Sequence, residues 1–174
     1  MALTFFPTAL GTCGLAWNEI GLTSFQLPED KAEETTRKLE VRARSKSTDT
    51  PRPPWVRRLI ERVQLHLEGR PHDFSDVPLD WTQVSEFQQA VYRQTRTIRA
   101  GEKKTYGDLA RLVGFDSKSA RAIGVAMAQN PWPLIVPCHR VVSATGKMTG
   151  YSASGGIRTK TRLLVLEGAE LLSE

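Results

Sequence analysis

The residues of this chain that can do chemistry are few, and they cluster. Cys138, His139 and Arg140 are consecutive, directly after the apolar run Pro133-Leu134-Ile135-Val136-Pro137. A thiol beside an imidazole and a guanidinium has electropositive surroundings, which favour the thiolate, the nucleophilic form of cysteine. Side chains of sequence neighbours do not meet in every backbone geometry, so a bridging water is the route by which His139 would take the thiol proton. Glu167, next to Gly168, can orient the imidazole as the third member of the series. The same residues also read as a buried, inert cysteine beside a satisfied core histidine. The other histidines are His66 and His72, and the other cysteine is Cys13. Their spacing supplies no zinc site, and the chain has no phosphate loop and no dinucleotide fingerprint.

Several elements must position these groups. The 133–137 run, bracketed by prolines, reads as a buried extended segment. Before it, Asn130-Pro131 ends a helix that Ser117 would cap and that runs from Lys118 to Gln129. Thr105 caps a shorter helix bearing Leu109, Leu112 and Val113, closed by Gly114. Ser85 caps another, in which Phe87, Val91, Gln94 and Ile98 share a face, ended by Gly101. Two short helices joined by a tight turn containing glycine are a helix-turn-helix signature. Lys118 and Arg121 open its second helix. Ala120, Ala122, Gly124, Ala126 and Ala128 keep that helix slim enough to approach a neighbouring helix or a DNA groove.

The first half is built differently. Leu3–Phe6, Gly14–Glu19 and Leu22–Leu27 read as strands, with Ile20-Gly21 as a hairpin turn. Pro28-Glu29-Asp30 opens a charged helix. Ser45–Pro54 is a polar loop. Val56, Leu59, Ile60, Val63 and Leu67 then recur at helical spacing, with Gly69 as the stop. Arg70–Trp81, with Pro71 and Pro78, reads as a connection between two domains, 1–80 and 81–174.

Length and composition bound the possibilities. The chain has 174 residues, 40% hydrophobic and 25% charged, the profile of a folded domain or two small ones and not of a disordered or disulfide-stapled chain. No apolar run reaches the ~20 residues of a membrane span. The start has no basic n-region and meets Pro7 early, so no signal peptide is read and the thiols are expected to be reduced. The formal charge of +5 is unevenly spread: residues 1–80 carry net −1 and residues 81–174 net +6. A basic excess confined to one half is the footprint of a polyanion binder, or else a solvated surface with no partner.

Residues 130–142, Asn-Pro-Trp-Pro-Leu-Ile-Val-Pro-Cys-His-Arg-Val-Val, resemble the active-site signature of the O6-alkylguanine-DNA alkyltransferases. Gly101-Glu102, Thr105-Tyr106 and Ala120-Arg121-Ala122-Ile123-Gly124 extend the resemblance upstream. Gly146-Lys147-Met148-Thr149-Gly150-Tyr151 and Lys160, Leu163-Leu164 and Leu166-Glu167-Gly168 extend it downstream, so that it covers about residues 85–168. The first half resembles the family's variable N-terminal domain only in order and size.

The resemblance implies an α+β protein, with a small ribonuclease H-like domain of antiparallel sheet and helices followed by a winged helix-turn-helix domain. It implies irreversible, single-turnover transfer of an alkyl group from O6-alkylguanine, and from O4-alkylthymine, to Cys138 after the base is flipped from duplex DNA. His139 would be the water-linked base, Glu167 its carboxylate, Tyr106 the donor to the departing base and Asn130 the hinge before the active-site segment. DNA contacts are implied at Tyr106, Gly107, Ser119, Ala120, Arg121 and Ala144, with Arg121 filling the gap in the stack. The alkylguanine pocket would be lined by Pro133, Val141, Tyr151 and Ser152. The loop after Tyr151 departs from the family pattern, Ser152-Ala153-Ser154 preceding Gly155-Gly156, so Ser154 or Gly155 could take the place of Ser152. Cys13 reads as structural. A monomer needing no cofactor and no metal is expected, cytoplasmic in a bacterium or nuclear in a eukaryote. Three other readings compete: a lesion sensor of the same fold, which lacks the reactive cysteine; a winged-helix regulator; and a cysteine hydrolase.

Overall fold

The computed structural model describes residues 1–47, 50–145 and 156–170. Strands β1 (Ala2–Thr8), β2 (Gly11–Trp17) and β3 (Leu22–Gln26) form an antiparallel sheet in the order β1-β2-β3. Thr8 pairs with Gly11 and Ala2 with Trp17, so the first hairpin closes through Ala9-Leu10, a turn the sequence reading does not contain. The second turn is anchored by Asn18, whose Oδ1 accepts from Ile20 N and Gly21 N. Gly21 is needed there because a Cβ would lie 2.6 Å from Pro78 O, so only glycine lets the connecting segment come this close.

Strand periodicity divides the sheet between two cores. Ala2 and Phe6 of β1 and Cys13, Leu15 and Trp17 of β2 enter the main core. Leu3, Phe5 and Ala16 face helix α1 (Ala32–Ala43), where Leu39 and Ala43 meet them. Helix α1 starts at Ala32, four residues after the expected opening at Pro28. Glu29 is held outside it, its N–H donating to Thr35 Oγ1 and its carboxylate accepting from Lys38 Nζ at 2.7 Å. Helix α2 (Pro54–Leu67) buries Val56, Leu59, Ile60, Val63, His66 and Leu67, so its apolar stripe is the expected one with a histidine added. Gly69 follows at φ +90°.

The remaining helices are α3 (Glu86–Thr95), α4 (Tyr106–Leu112), α5 (Ala120–Ala128) and α6 (Gly156–Leu166). Ser85 and Thr105 cap α3 and α4 as expected. Each does so as a capping box, reciprocated by Gln88 and Asp108, which satisfies two otherwise orphaned N–H groups per helix. Helix α3 stops at Thr95, short of Gly101, where Thr97 N and Oγ1 both donate to Gln94 O and turn the chain. The helix expected from Lys118 begins only at Ala120, after a 3-10 turn over Ser117–Ser119. Strands β4 (Lys104–Thr105) and β5 (Val141–Val142) form a short parallel pair.

The connecting segment and the active-site segment both lie along β3. Leu22 N donates to Pro78 O at 2.8 Å and Asp80 N to Leu22 O at 3.0 Å. Phe25 N donates to Pro131 O at 2.9 Å. Trp132, 0% exposed, points inward; its Nε1 donates to Leu22 O at 2.9 Å and its ring meets Trp81 and Tyr92 edge-on. One buried cluster therefore runs from the sheet through α2 and α3 to α5 and α6. Among the described residues no helix is long and apolar enough to cross a membrane.

Trp132→Ala removes this link. It is expected to lower the unfolding free energy by about 3–5 kcal/mol, the cost of truncating a large buried aromatic, read from urea titration. A loss below about 1 kcal/mol would show that the two halves hold together without it.

Candidate active site

The segment that presents Cys138 is a tight turn, not the extended run that its prolines suggest. Val136 N donates back to Trp132 O at 2.8 Å, and Pro133 and Val136 form an isolated bridge. Leu134 adopts φ +76°, left-handed backbone that costs a residue with a Cβ about 1–2 kcal/mol. Asn130 holds the turn from inside: Oδ1 accepts from Trp132 N and Nδ2 donates to Val136 O, both at 2.9 Å. Pro137 at φ −79°, ψ 66° then makes an inverse γ-turn, with Cys138 N donating to Val136 O at 2.7 Å. Cys138 opens the 3-10 turn Cys138–Arg140, and β5 follows at once.

Below that turn lies a buried charge array. Glu167, just past α6, accepts from His139 Nε2 at 2.7 Å, His66 Nε2 at 2.9 Å and Arg140 Nη2 at 2.8 Å, all on Oε1. Its Oε2 accepts from Arg140 Nε at 3.0 Å. Arg140 is thus bidentate on Glu167, and its Nη1 also donates to Ile98 O. Burial works against the charge on Glu167. Attraction to His139 and hydrogen bonds from His139, His66 and Arg140 nevertheless hold the carboxyl well below the usual carboxylate range. Burial pushes His139 below its ordinary value, against the opposing pull of Glu167. His139 is therefore neutral at neutral pH, where the charged partner of Glu167 is Arg140, and the attraction of His139 to Glu167 acts only once acid has protonated the ring. With Nε2–H committed to Glu167, the proton-free nitrogen of His139 is Nδ1. That atom is buried and has no hydrogen-bond partner among the described residues.

Tyr106, at the start of α4, is half-buried. Burial and the nearby Cys138 raise its hydroxyl above the ordinary value, so it stays a proton donor. The β4–β5 pair fixes its position, joining Thr105 to Val142. Lys160 of α6 lies fully buried between these parts, its Nζ donating to Val141 O at 2.7 Å and standing 5.8 Å from the Tyr106 ring centre. Burial lowers its value and Cys138 opposes that. Cys13 lies in β2, where burial pushes its thiol up to about 12. Neither cysteine is in a disulfide.

A cavity of about 120 Å³ opens onto Cys138. Pro133, Asn130 and Met127 line it from one side and Gln26, Glu29 and Arg42 of the first half from another. Val141, expected on a pocket wall, is fully buried in the main core and is not among the described residues lining this cavity. Tyr151 and Ser152, with the alternatives Ser154 and Gly155, lie outside the described residues. Of the residues expected to meet DNA, Tyr106 and Gly107 open α4, and Ser119, Ala120 and Arg121 lie at the start of α5. Gly107, Ser119 and Ala120 are half-buried there, and Arg121 is exposed together with Lys104, Arg111 and Lys118. Ala144, just after β5, is also exposed. At the start of α4 the anionic Asp108 is held ionised, chiefly by the backbone N–H of Thr105. Among the described residues no cluster of His, Cys, Asp and Glu could hold a metal ion.

Two residues of the site carry no role in the sequence reading. His66 falls three residues after Val63 on the buried stripe of α2, and Lys160 falls two turns before Glu167 on the buried face of α6. In both cases a polar residue in an apolar register was the available signal.

A family model described as the DNA binding domain of 6-O-methylguanine DNA methyltransferase matches residues 86–169. A methylated-DNA–protein-cysteine methyltransferase of Methanosarcina acetivorans is 34% identical over 97% of this chain and 99% of its own. One from Mycolicibacterium paratuberculosis is 43% identical over 62% of each chain. Among solved structures, Mycobacterium tuberculosis OGT in complex with DNA superposes with a TM-score of 0.75 and 32% identity, over 97% of this chain and 93% of that one.

The carboxylate array makes acid stability a readout of the site. Glu167 has a folded value below its unfolded value of about 4.3, so its contribution is present above that pH and is lost on acidification. His139, also lowered, adds a loss that begins below about pH 6.5, where the unfolded chain takes up a proton that the buried ring does not. Glu167→Gln is expected to destabilise the fold at pH 7 by about 3 kcal/mol or more, as for one partner removed from a buried ion pair. Its denaturation midpoint should then fall less steeply than the wild type's between about pH 5 and 2. Parallel acid slopes for the two proteins would disprove the ionised carboxylate.

Proposed function

The chain belongs to the family of methylated-DNA–protein-cysteine methyltransferases, enzymes of direct-reversal DNA repair, and on that premise we propose that Cys138 Sγ is the atom that accepts the alkyl group. One observation carries the reading. The cavity thiol is followed directly by a neutral imidazole whose Nε2–H is locked onto an ionised carboxylate, leaving a buried proton acceptor at Nδ1.

A neutral thiol is a weak nucleophile, so the first step is loss of the Cys138 proton to His139 Nδ1 through a water. Glu167 stabilises the imidazolium that forms, as Arg140 stabilises Glu167. The thiolate attacks the alkyl carbon on O6 of guanine. A sulfur–carbon bond forms as the carbon–oxygen bond breaks, and its electron pair leaves with the base. Tyr106 donates a proton to the base, so that neutral guanine departs. The proton held by His139 balances the one Tyr106 gives up. The product thioether has no ready leaving group, and each molecule acts once.

The target lies in a duplex and must be extruded. Arg121, exposed on the first turn of α5, is assigned to the gap left in the stack. Tyr106, Gly107, Ser119, Ala120 and Ala144 are assigned to the surrounding backbone, with the exposed Lys104, Arg111 and Lys118 supplying charge. In this reading residues 81–174 form a winged helix-turn-helix domain centred on α4 and α5. Residues 1–80 form a ribonuclease H-like domain that supports it, and the protein works as a monomer on DNA carrying O6-alkylguanine. The lesion-sensor and regulator readings have no use for the cavity thiol.

Cys138→Ala is expected to abolish transfer from an O6-methylguanine oligonucleotide while leaving duplex affinity within about threefold, because the thiol lies off the phosphate-contacting face. Mass spectrometry should find one methyl, on the Cys138 peptide of the wild type only; a methylated Cys138→Ala protein refutes the assignment. Arg121→Ala should slow repair of a paired base by about tenfold or more, a barrier change of ~1.4 kcal/mol, with little effect on alkylation by a free O6-alkylguanine. Equal losses on both substrates would remove Arg121 from base extrusion.

A further inference from the structure

His66 is the buried histidine that the reaction above does not use. It belongs to α2 and lies 101 residues from Glu167 in the chain, yet meets it at 2.9 Å. Both of its ring nitrogens are engaged. Nδ1 accepts from the backbone N–H of His72 at 3.0 Å, which leaves the proton of the neutral ring on Nε2. His66 therefore donates to Glu167 Oε1. That oxygen offers about two lone pairs and receives three donors, from His66, His139 and Arg140. Whatever His66 takes of its charge is not available to His139.

We propose that His66 is a positioning residue for alkyl transfer: its hydrogen bond fixes Glu167 beneath His139 and sets the basicity of the imidazole that deprotonates Cys138. The inference rests on the functional reading above. The groups at His66 are Glu167 from the end of α6, His139 and Arg140 from the 138–140 turn, which share Glu167 Oε1 with it, and the backbone N–H of His72 from the connecting segment, with Asp73 next in the chain. The Phe74 ring lies 5.2 Å from the His66 ring, and the Arg62 guanidinium of α2 stands over the Phe74 ring at 5.5 Å. Arg140 balances Glu167, and Asp73 is held ionised by hydrogen bonds from Ser75 and by attraction to Arg140 and Arg62. Glu167 raises the proton affinity of His139, and the His66 bond to the same carboxylate oxygen draws on the charge that does so. Removing the His66 donor thus makes His139 a stronger base but a worse-held one.

The test is the pH dependence of single-turnover methyl transfer from an O6-methylguanine duplex. His66→Phe keeps a ring and loses both nitrogens. Its rate profile should rise with pH at a midpoint shifted upward by about half a unit to one unit, with a plateau rate about tenfold lower. His66→Gln, whose amide nitrogen can donate to Glu167, should return the midpoint to the wild-type position. An unshifted midpoint in His66→Phe overturns the proposal, and so does a His66→Gln profile that matches it. If His66→Phe does not fold, nitrogen-15 imidazole spectra of the wild type decide. The Nε2–H tautomer is expected at His66, and an Nδ1–H tautomer overturns the proposal. Mass spectrometry of the same samples separates this inference from its premise. No methyl on wild-type Cys138 sinks the functional reading, whereas methylated Cys138 with a wild-type profile in His66→Phe sinks only the role of His66.

Discussion

A single buried carboxylate organises this molecule. Glu167 is 5% exposed and carries a negative charge that only its hydrogen-bond partners make tolerable. Its donors come from α2 and from the turn that bears the thiol, while the carboxylate itself follows α6. An ion left alone in such a place would cost several kcal/mol, and the pairing makes up that cost only when every donor is in place. The geometry of the array is therefore a condition of the fold as well as of the chemistry. Arg140 supplies the fixed charge, His139 donates to the same oxygen, and His66 ties both to the first half.

The backbone above the array is equally constrained. Asn130 clamps both ends of the turn over residues 132–136, and Leu134 is held in a left-handed conformation within it. Trp132 anchors the same turn to β3. These bonds also cover the outer edge of the sheet, which would otherwise expose unpaired backbone groups. The sheet is thus completed by the segment that carries the reactive residue, and the reactive residue is aimed by the sheet.

Local signals in the sequence were the ones that could be read. Ser85 and Thr105 announce their helices because a cap bonds only to its own first turn. The stripe of α2 is visible because its period is that of the helix. The 133–137 run misleads for a related reason: bracketing prolines and apolar residues are compatible with both a strand and a buried turn, and the bonds that decide, from Trp132 and Asn130, depend on the tertiary setting. The two-residue strands β4 and β5 are too short to leave a periodic trace and pair across some 35 intervening residues. The pairing of His139 with Glu167 was legible through a family likeness, and the two are hydrogen-bonded. His66 was not, because that likeness is weak over the first half and a lone histidine on an apolar stripe has many uses.

The long reach between His66 and Glu167 bears on how the protein comes into being. Contacts of high sequence separation close late, since the entropy of a large loop must be overcome before they reward the chain. On the ribosome, Cys138 and His139 emerge well before Glu167 does. A nascent chain in that state has an imidazole with no anion beneath it and a guanidinium with no partner. On the proposed mechanism, nucleophilicity is in this sense a property of the finished polypeptide, acquired when α6 docks, and a half-made chain does not yet activate Cys138.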